Sequence, residues 1–289
     1  MCKDRSWVYN VGMLTEDEVR RILPIGAFGA ILDFSPSLGS TNVRAIELAR
    51  QGAPHGLLVV ADEQTAGRGR EGRRWITAAG KALAFSVLLR PQGIPADRLG
   101  TVSGLGGVSV AQALEELGGT PQLKWPNDVL LKGRKVAGVL TEAAWEGARL
   151  DSVILGVGVN VLRGSAPPDS EVDFPATSAE ESLGRPVDRI QLLAPILHHL
   201  DRWCQEFGSA TLLAAWEHYL CYRDEPVLVV GGRQPIRGIL RGLGRTGSLL
   251  LEVAGRGMVE VRPDRVQLRP IDSLEESATL EGGEGPDVR

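Results

Sequence analysis

Gln64-Thr-Ala-Gly-Arg-Gly-Arg-Glu-Gly-Arg-Arg-Trp75 follows, after Asp62 and Glu63, on Leu57-Leu-Val-Val-Ala61, whose branched apolar residues predict a strand. Four arginines fall between Arg68 and Arg74, where they repel one another until an anion sits among them. Gly67, Gly69 and Gly72 let the backbone come close to a ligand, so guanidinium forks and amide N–H groups can point together at phosphate oxygens. The same glycines satisfy G-x-G-x-x-G, the dinucleotide fingerprint. That fingerprint needs a helix to start at the loop, whereas residues 73–87 read as a turn into another strand, with Gln92 where an acid belongs. The expectation is an anion loop joining two strands, not a Rossmann crossover.

Working outward, residues 57–61, 82–89, 135–144 and 149–161 are rich in Val, Ile and Leu and predict strands of one sheet. Residues 42–51 and 98–117 have helical spacing and end at Gly52 and Gly118, both suited to helix C-termini. Asp188 with Gln191 has the form of a capping box, and apolar positions from Ile190 to Phe207 recur at three- and four-residue steps. That predicts an amphipathic helix which Pro195 kinks or ends early. Segment 163–181, with Pro167, Pro168 and Pro175, predicts a long loop. From Pro226 the chain changes to short alternating runs separated by glycine-bearing turns, the pattern of a small β-barrel. The fold class is α+β, a mixed sheet packed with helices followed by that barrel.

The 43% hydrophobic and 24% charged residues of this 289-residue chain are ordinary for a globular protein. Its longest strongly apolar stretch, Val153 to Leu162, is about half of the ~20 residues a membrane helix needs, so no membrane role is expected. Charges punctuate the first 30 residues without an apolar signal core, and Cys2, Cys204 and Cys221 show no CxxC spacing. A cytoplasmic protein with neither a disulfide framework nor a structural metal is expected. Residues 271–289 hold six acids against Arg289, which accounts for the net charge of −4 and leaves the rest of the chain near +1. That balance excludes a general polyanion binder and puts any phosphate chemistry on a local basic cluster.

Other short motifs surround the loop. Ser40-Thr41-Asn42 opens a helix, where such residues ordinarily cap. Lys124-Trp-Pro-Asn-Asp128 is a compact polar turn; Gly133-Arg-Lys-Val-Ala-Gly138 enters a strand, and Gly156-Val-Gly-Val-Asn160 ends one. In this order (STN, Q-x-x-GRGRxGRxW, KWPND, GRKxAG, GxGxN) the chain from Ser40 to Asn160 resembles the biotin–protein ligase family.

The resemblance implies a class II synthetase-like, biotin ligase-like catalytic domain at 29–222 and an SH3-like barrel at 223–270. An N-terminal segment, 1–28, precedes them, and an acidic disordered tail, 271–289, follows. It implies ATP-dependent formation of biotinyl-5'-AMP and transfer of biotin to a lysine of a biotin carboxyl carrier domain, with ATP and Mg²⁺ required. Ser40, Thr41, Asn42 and Gln64 would bind the biotin ureido ring, with Gly138, Gly156 and Gly158 also at the biotin site. Arg68, Gly69 and Arg70 would close over biotin and the adenylate phosphate, and Lys135 would be the catalytic lysine, beside the biotin carboxylate and α-phosphate. Arg70, Trp75, Lys124, Asn127, Asp128 and Asn160 would face the nucleotide, its adenine pocket closed by part of 163–181. Asp128 reads equally well as a base, as a group orienting Lys135, or as a plain turn cap.

Cys204 and Cys221 lie outside the motif block and read as small buried hydrophobes, while the four histidines lack metal-binding spacing. A lipoate or octanoate ligase of the same superfamily is the nearest rival, although octanoyltransferases depend on a core cysteine that is missing here. A catalytically idle biotin sensor is another, and retention of Lys135, Arg68 and Arg70 speaks against it. DNA binding is not expected, because the roughly 30 residues before the core have room for one helix, TEDEVRRIL, and not for a recognition helix with its scaffold. The family includes monomers and homodimers, so either state is open.

Overall fold

In the computed structural model, residues 12–24, 26, 28, 31–76, 79–90, 96–147, 149–232, 234–263 and 265–271 are described. Seven strands form one mixed sheet: β1 (Leu32–Leu38), β2 (Leu58–Gln64), β3 (Ala82–Leu89), β4 (Pro121–Lys124), β5 (Asp128–Leu131), β6 (Arg134–Glu146) and β7 (Arg149–Asn160). Their order is β1-β2-β3-β7-β6-β5-β4, with β1 parallel to β2 and the other neighbours antiparallel. Central β3 is buried along its whole length and β7 from Ser152 to Asn160, which is why both read as nearly continuous apolar runs. Three strands have no strong sequence signal. β1 carries Pro36, tolerated because it is an edge strand, and β4 and β5 are only four residues each.

The helices are α1 (Glu16–Arg21), α2 (Thr41–Arg50), α3 (Thr101–Glu116), α4 (Ala179–Leu183), α5 (Arg189–Gln205) and α6 (Ala210–Tyr219). α2 seats Ala45 and Ala49 against Leu57, Val59, Leu88 and Ile154. α3, α5 and α6 belong to a separate and larger core cluster with Phe85, Leu155 and Val157. α6 comes so close to α3 that a Cβ on Gly104 would lie 2.1 Å from the Trp216 ring, so glycine in that helix is a packing requirement. The helix expected at 98–117 is corrected at its start: Ala96–Gly100 is a 3₁₀ turn, and the α-helix begins at Thr101.

Pro195 does not end α5, which runs unbroken to Gln205. Leu192, Leu193, Ile196, Leu197, Leu200 and Trp203 are all buried, and that packing on both sides of the proline outweighs one lost backbone bond. At its start Asp188 accepts from the Ile190 and Gln191 amides, the N-cap half of the expected box. The segment expected to be loop to residue 181 is shorter, because Ser178 and Glu181 form a reciprocal capping box that starts α4 at Ala179.

Strands β8 (Pro226–Val230), β9 (Ile236–Leu243), β10 (Leu249–Val253), β11 (Gly257–Val261) and β12 (Gln267–Pro270) form an antiparallel sheet of order β11-β10-β9-β8-β12, the C-terminal unit. Trp125 Nε1 donates to the Gly247 carbonyl at 3.0 Å and so ties the Lys124–Asp128 turn to this unit. The tail expected to be disordered lies, from residue 272 on, outside the described residues, as does Cys2.

Candidate active site

The arginine loop is a tight hairpin. Arg68 bridges Arg74, the Gly69 amide donates to Arg73 O at 2.7 Å, and the Trp75 amide donates to Gly67 O at 2.9 Å. Glu71 and Gly72 take left-handed backbone angles (φ 57° and 75°) at its tip. No helix follows, so the G-x-G-x-x-G spacing serves a hairpin here. Arg70 Nη1 reaches Asn127 Oδ1 at 3.3 Å and its Nη2 donates to the Pro263 carbonyl, joining the hairpin to the Lys124–Asp128 turn and to the C-terminal unit.

Beside the hairpin lies a polar shelf. Ser40 stands at the α2 N-cap without making a side-chain cap, and it lines the cavity of the site. The Thr41 amide and hydroxyl both donate to Gln64 Oε1, at 2.8 and 3.0 Å, which leaves the Gln64 amide nitrogen, beside Gly67, as a donor. Ser86, fully buried in β3, has one hydrogen and two acceptors in reach, Asn42 Oδ1 at 2.6 Å and Thr41 Oγ1 at 2.8 Å. Register puts Ser86 opposite Gly156, and Gly156 opposite Leu140, in one row across β3, β7 and β6. A Cβ on Gly156 would meet Asn42 Oδ1 at 2.0 Å, and one on Gly158 would meet the Trp75 indole at 2.4 Å. In this arrangement those glycines make room for Asn42 and Trp75.

On the far side Lys135 Nζ lies 2.6 Å from Asp128 Oδ1 and 5.7 Å from the centre of the Trp75 ring. Its backbone is fixed by the 163–181 segment: the Lys135 amide donates to Pro175 O at 2.8 Å and Lys135 O accepts from the Thr177 amide at 2.9 Å. Lys124, with Nζ 4.2 Å over the Phe174 ring, is pushed below the usual lysine range by burial, against the opposing pull of Asp128. Asn160 donates to Thr177 O at 3.2 Å, while its buried Oδ1 has no partner and is free to take a hydrogen from a ligand amine.

Every residue expected at the site lines one cavity of about 400 Å³. Segment 163–181 contributes Pro167, Glu171, Val172, Asp173, Phe174 and Ala176, and β12 with the residue before it contributes Val266, Gln267, Leu268 and Arg269. Sequence reasoning missed Ser86, Phe174, Arg269 and Glu142. A lone serine inside Ala82-Leu-Ala-Phe-Ser-Val-Leu-Leu89 was the available signal for the first; Phe174 falls in the 163–181 segment expected to close the adenine pocket, and nothing local marked Arg269. Neither Cys204 nor Cys221 lines the cavity, although Cys221 sits next to Lys124 through its amide hydrogen bond to Leu123 O; burial pushes both thiols up, Cys221 to about 12, which disfavours the reactive thiolate. Among the described residues no group of three His, Cys, Asp or Glu side chains could hold a metal.

Residues 35–160 match the Biotin/lipoate A/B protein ligase family. The chain is 36% identical to the biotin–[acetyl-CoA-carboxylase] ligase of Paracoccus denitrificans, over 76% of this chain and 94% of that protein. The chain belongs to the biotin–protein ligase family. Within it, the chain is also 38% identical to the bifunctional ligase/repressor BirA of Bacillus subtilis, across 72% of this chain. It spans about 65% of that relative's length. The biotin protein ligase of Aquifex aeolicus, solved in complex with biotin and ATP, superposes with a TM-score of 0.72 at 32% identity, covering 84% of this chain and 100% of that one.

Proposed function

We propose that this chain is an ATP-dependent biotin–protein ligase that makes biotinyl-5'-AMP and pyrophosphate, then transfers biotin to the lysine amine of a biotin carboxyl carrier domain. The observation that carries the reading is that one cavity gathers a donor-and-acceptor shelf, an arginine hairpin and a lysine–aspartate pair. The shelf of Ser40, Thr41 and Gln64 suits a ureido head, which both gives and takes hydrogen bonds. Attack of the biotin carboxylate on the α-phosphorus brings two anions together, and Lys135, Arg68 and Arg70 offset that repulsion. The adenine is proposed to lie against Asn160, whose unpaired Oδ1 accepts from its amino group. Asp128, Glu171 and Asp173 are hard oxygen donors lining the cavity, and one or two suffice for a Mg²⁺ carried on phosphates. Mg²⁺ supplies neutralisation of phosphate charge when bound.

In the second step the acceptor amine attacks the mixed anhydride and AMP leaves. Of the roles open to Asp128, orientation of Lys135 is favoured by the 2.6 Å contact between them. Pyrophosphate release with biotin and ATP, repeated with lipoate in place of biotin, tests the assignment. Release with biotin alone is expected. Release only with lipoate moves the chain to the other branch of its superfamily, and release with neither makes it a sensor.

A further inference from the structure

Glu142 belongs to none of the sequence motifs and takes no part in the chemistry above, yet it touches both halves of the site. It follows Gly138 and Leu140 on the same face of β6, in a stretch whose pairing with β7 is regular. Its Oε2 accepts from Asn42 Nδ2 at 2.8 Å, and its Oε1 lies 3.2 Å from Arg68 Nη2. Asn42 is buried, held from its other side by Ser86, and its Nδ2 also reaches Leu140 O at 3.4 Å. One carboxylate therefore joins the shelf to the hairpin.

The two contacts differ in strength. The Asn42 side is enclosed, whereas the Arg68 side chain is 49% exposed, and an ion pair in that setting is weakly held. Arg68 can leave while Glu142 stays. A guanidinium fork matches a phosphate as well as it matches a carboxylate, and an anion arriving at the hairpin competes directly with Glu142 for it.

We propose that Glu142 is a positioning residue that holds Arg68 while the phosphate position is empty and yields it to the adenylate. The inference rests on the ligase reading, since it names biotinyl adenylate as the competing anion. On this reading Glu142 fixes Asn42 permanently and Arg68 only provisionally, so an anion in the phosphate position, and not the biotin ring, releases the hairpin from β6.

Glu142→Gln keeps an oxygen for Asn42 Nδ2 and removes the charge facing Arg68. Trypsin cleavage after Arg68 in the ligand-free protein, scored by fragment mass against cleavage after exposed Arg149, should rise about five-fold, the scale of a half-exposed ion pair. Affinities for biotin and for the phosphodiester analogue biotinol-5'-AMP are measured by calorimetry on both proteins. The ratio favouring the analogue should rise by a similar factor of about five. Glu142→Ala, which also takes from Asn42 Nδ2 its shorter acceptor, should weaken biotin itself; if that variant does not fold, the glutamine variant decides alone. An unchanged cleavage rate or an unchanged affinity ratio in Glu142→Gln overturns the proposal. A wild-type protein that binds neither biotin nor the analogue sinks the ligase reading instead, and the ligand-free cleavage comparison still decides whether Glu142 holds Arg68.

Discussion

Replacing Lys135 by alanine removes a cation that is 2.6 Å from Asp128, in a pair whose side chains are only 26% and 15% exposed. Two losses add. A transition-state contact of this kind contributes about 3–4 kcal/mol, which at ~1.4 kcal/mol per decade is 10²–10³ in rate. The variant also leaves the Asp128 carboxylate uncompensated beside the proposed phosphate position, and two like charges roughly 5 Å apart at an effective dielectric near 20 repel by about 3 kcal/mol. Single-turnover adenylate formation should therefore fall by at least about 10², while biotin affinity, which the proposed function assigns to the shelf around Thr41 and Gln64, should change far less. Lys135→Ala combined with Asp128→Asn should recover part of the loss, because the second change removes the repulsion and not the missing attraction. Rapid-quench measurement of biotinyl-5'-AMP, with calorimetric biotin binding, provides both numbers. Adenylation within a few-fold of wild type in the single variant would refute Lys135 as the electrostatic centre, and a double variant slower than the single would refute the account of Asp128.

Gly158→Ala places a methyl group where the Trp75 indole lies at 2.4 Å, so Trp75 fluorescence should shift and biotin binding weaken, with a stability cost of about 1–3 kcal/mol read by urea denaturation. An unchanged spectrum and affinity would mean that the indole does not pack on that glycine. Arg189 and Asp62, 4% and 1% exposed and 2.6 Å apart, tie α5 to β2, and Arg189 also donates to Gly12 O at 2.6 Å. Arg189→Ala strands a buried carboxylate and should lose about 3–5 kcal/mol of stability, against a much smaller loss when Asp62→Leu is added to Arg189→Met; equal losses would contradict this. Burial raises the Cys221 thiol from 9.0 to about 12, so its contribution to stability is present below pH 9 and is lost as pH rises toward 12, where the unfolded chain ionises first. Cys221→Ala should flatten stability between those limits, and a slope that persists would assign it to other groups.

Strong local chemistry was legible and long-range pairing was not. The arginine loop and the motifs around it could be read because each depends on residue types that are neighbours in sequence, and β3 and β7 because burial on both faces forces apolar runs. β1 was hidden by Pro36 in an edge position, and β4 and β5 by being four residues long, since their pairing depends on partners rather than on their own composition. Pro195 was over-weighted: a local penalty of a few kcal/mol is offset by a helix face buried on both sides of it. Ser86 and Glu142 escaped because their partners, 44 and 100 residues away at Asn42, are defined only by the register of β3, β7 and β6. Glu142 could still have been found, for it shares a face of β6 with Gly138 and Leu140, both of which line the cavity.

The charges in the cavity bear on both half-reactions. Arg68, Arg70, Arg73, Arg74, Lys124, Lys135 and Arg269 line it against the carboxylates Asp128, Glu171 and Asp173, an excess of four positive charges in a chain whose net charge is −4. Without ligand, part of that excess is held by carboxylates outside the lining, Arg68 by Glu142 and Arg73 by Glu71, while Lys135 is paired with Asp128. On the proposed reaction a bound triphosphate would replace these pairs with others, so the cations need not move far to meet it. On the proposed reaction, departure of pyrophosphate leaves an adenylate with a single negative charge, and the excess of cations returns. The acceptor lysine must arrive there as a neutral amine to attack the anhydride. A surplus of neighbouring positive charge disfavours the ammonium form and lowers the pKa of that amine. The arrangement that allows a carboxylate to approach a phosphate therefore also favours the deprotonated nucleophile of the second step, whose attack expels AMP and leaves one proton to be lost to solvent.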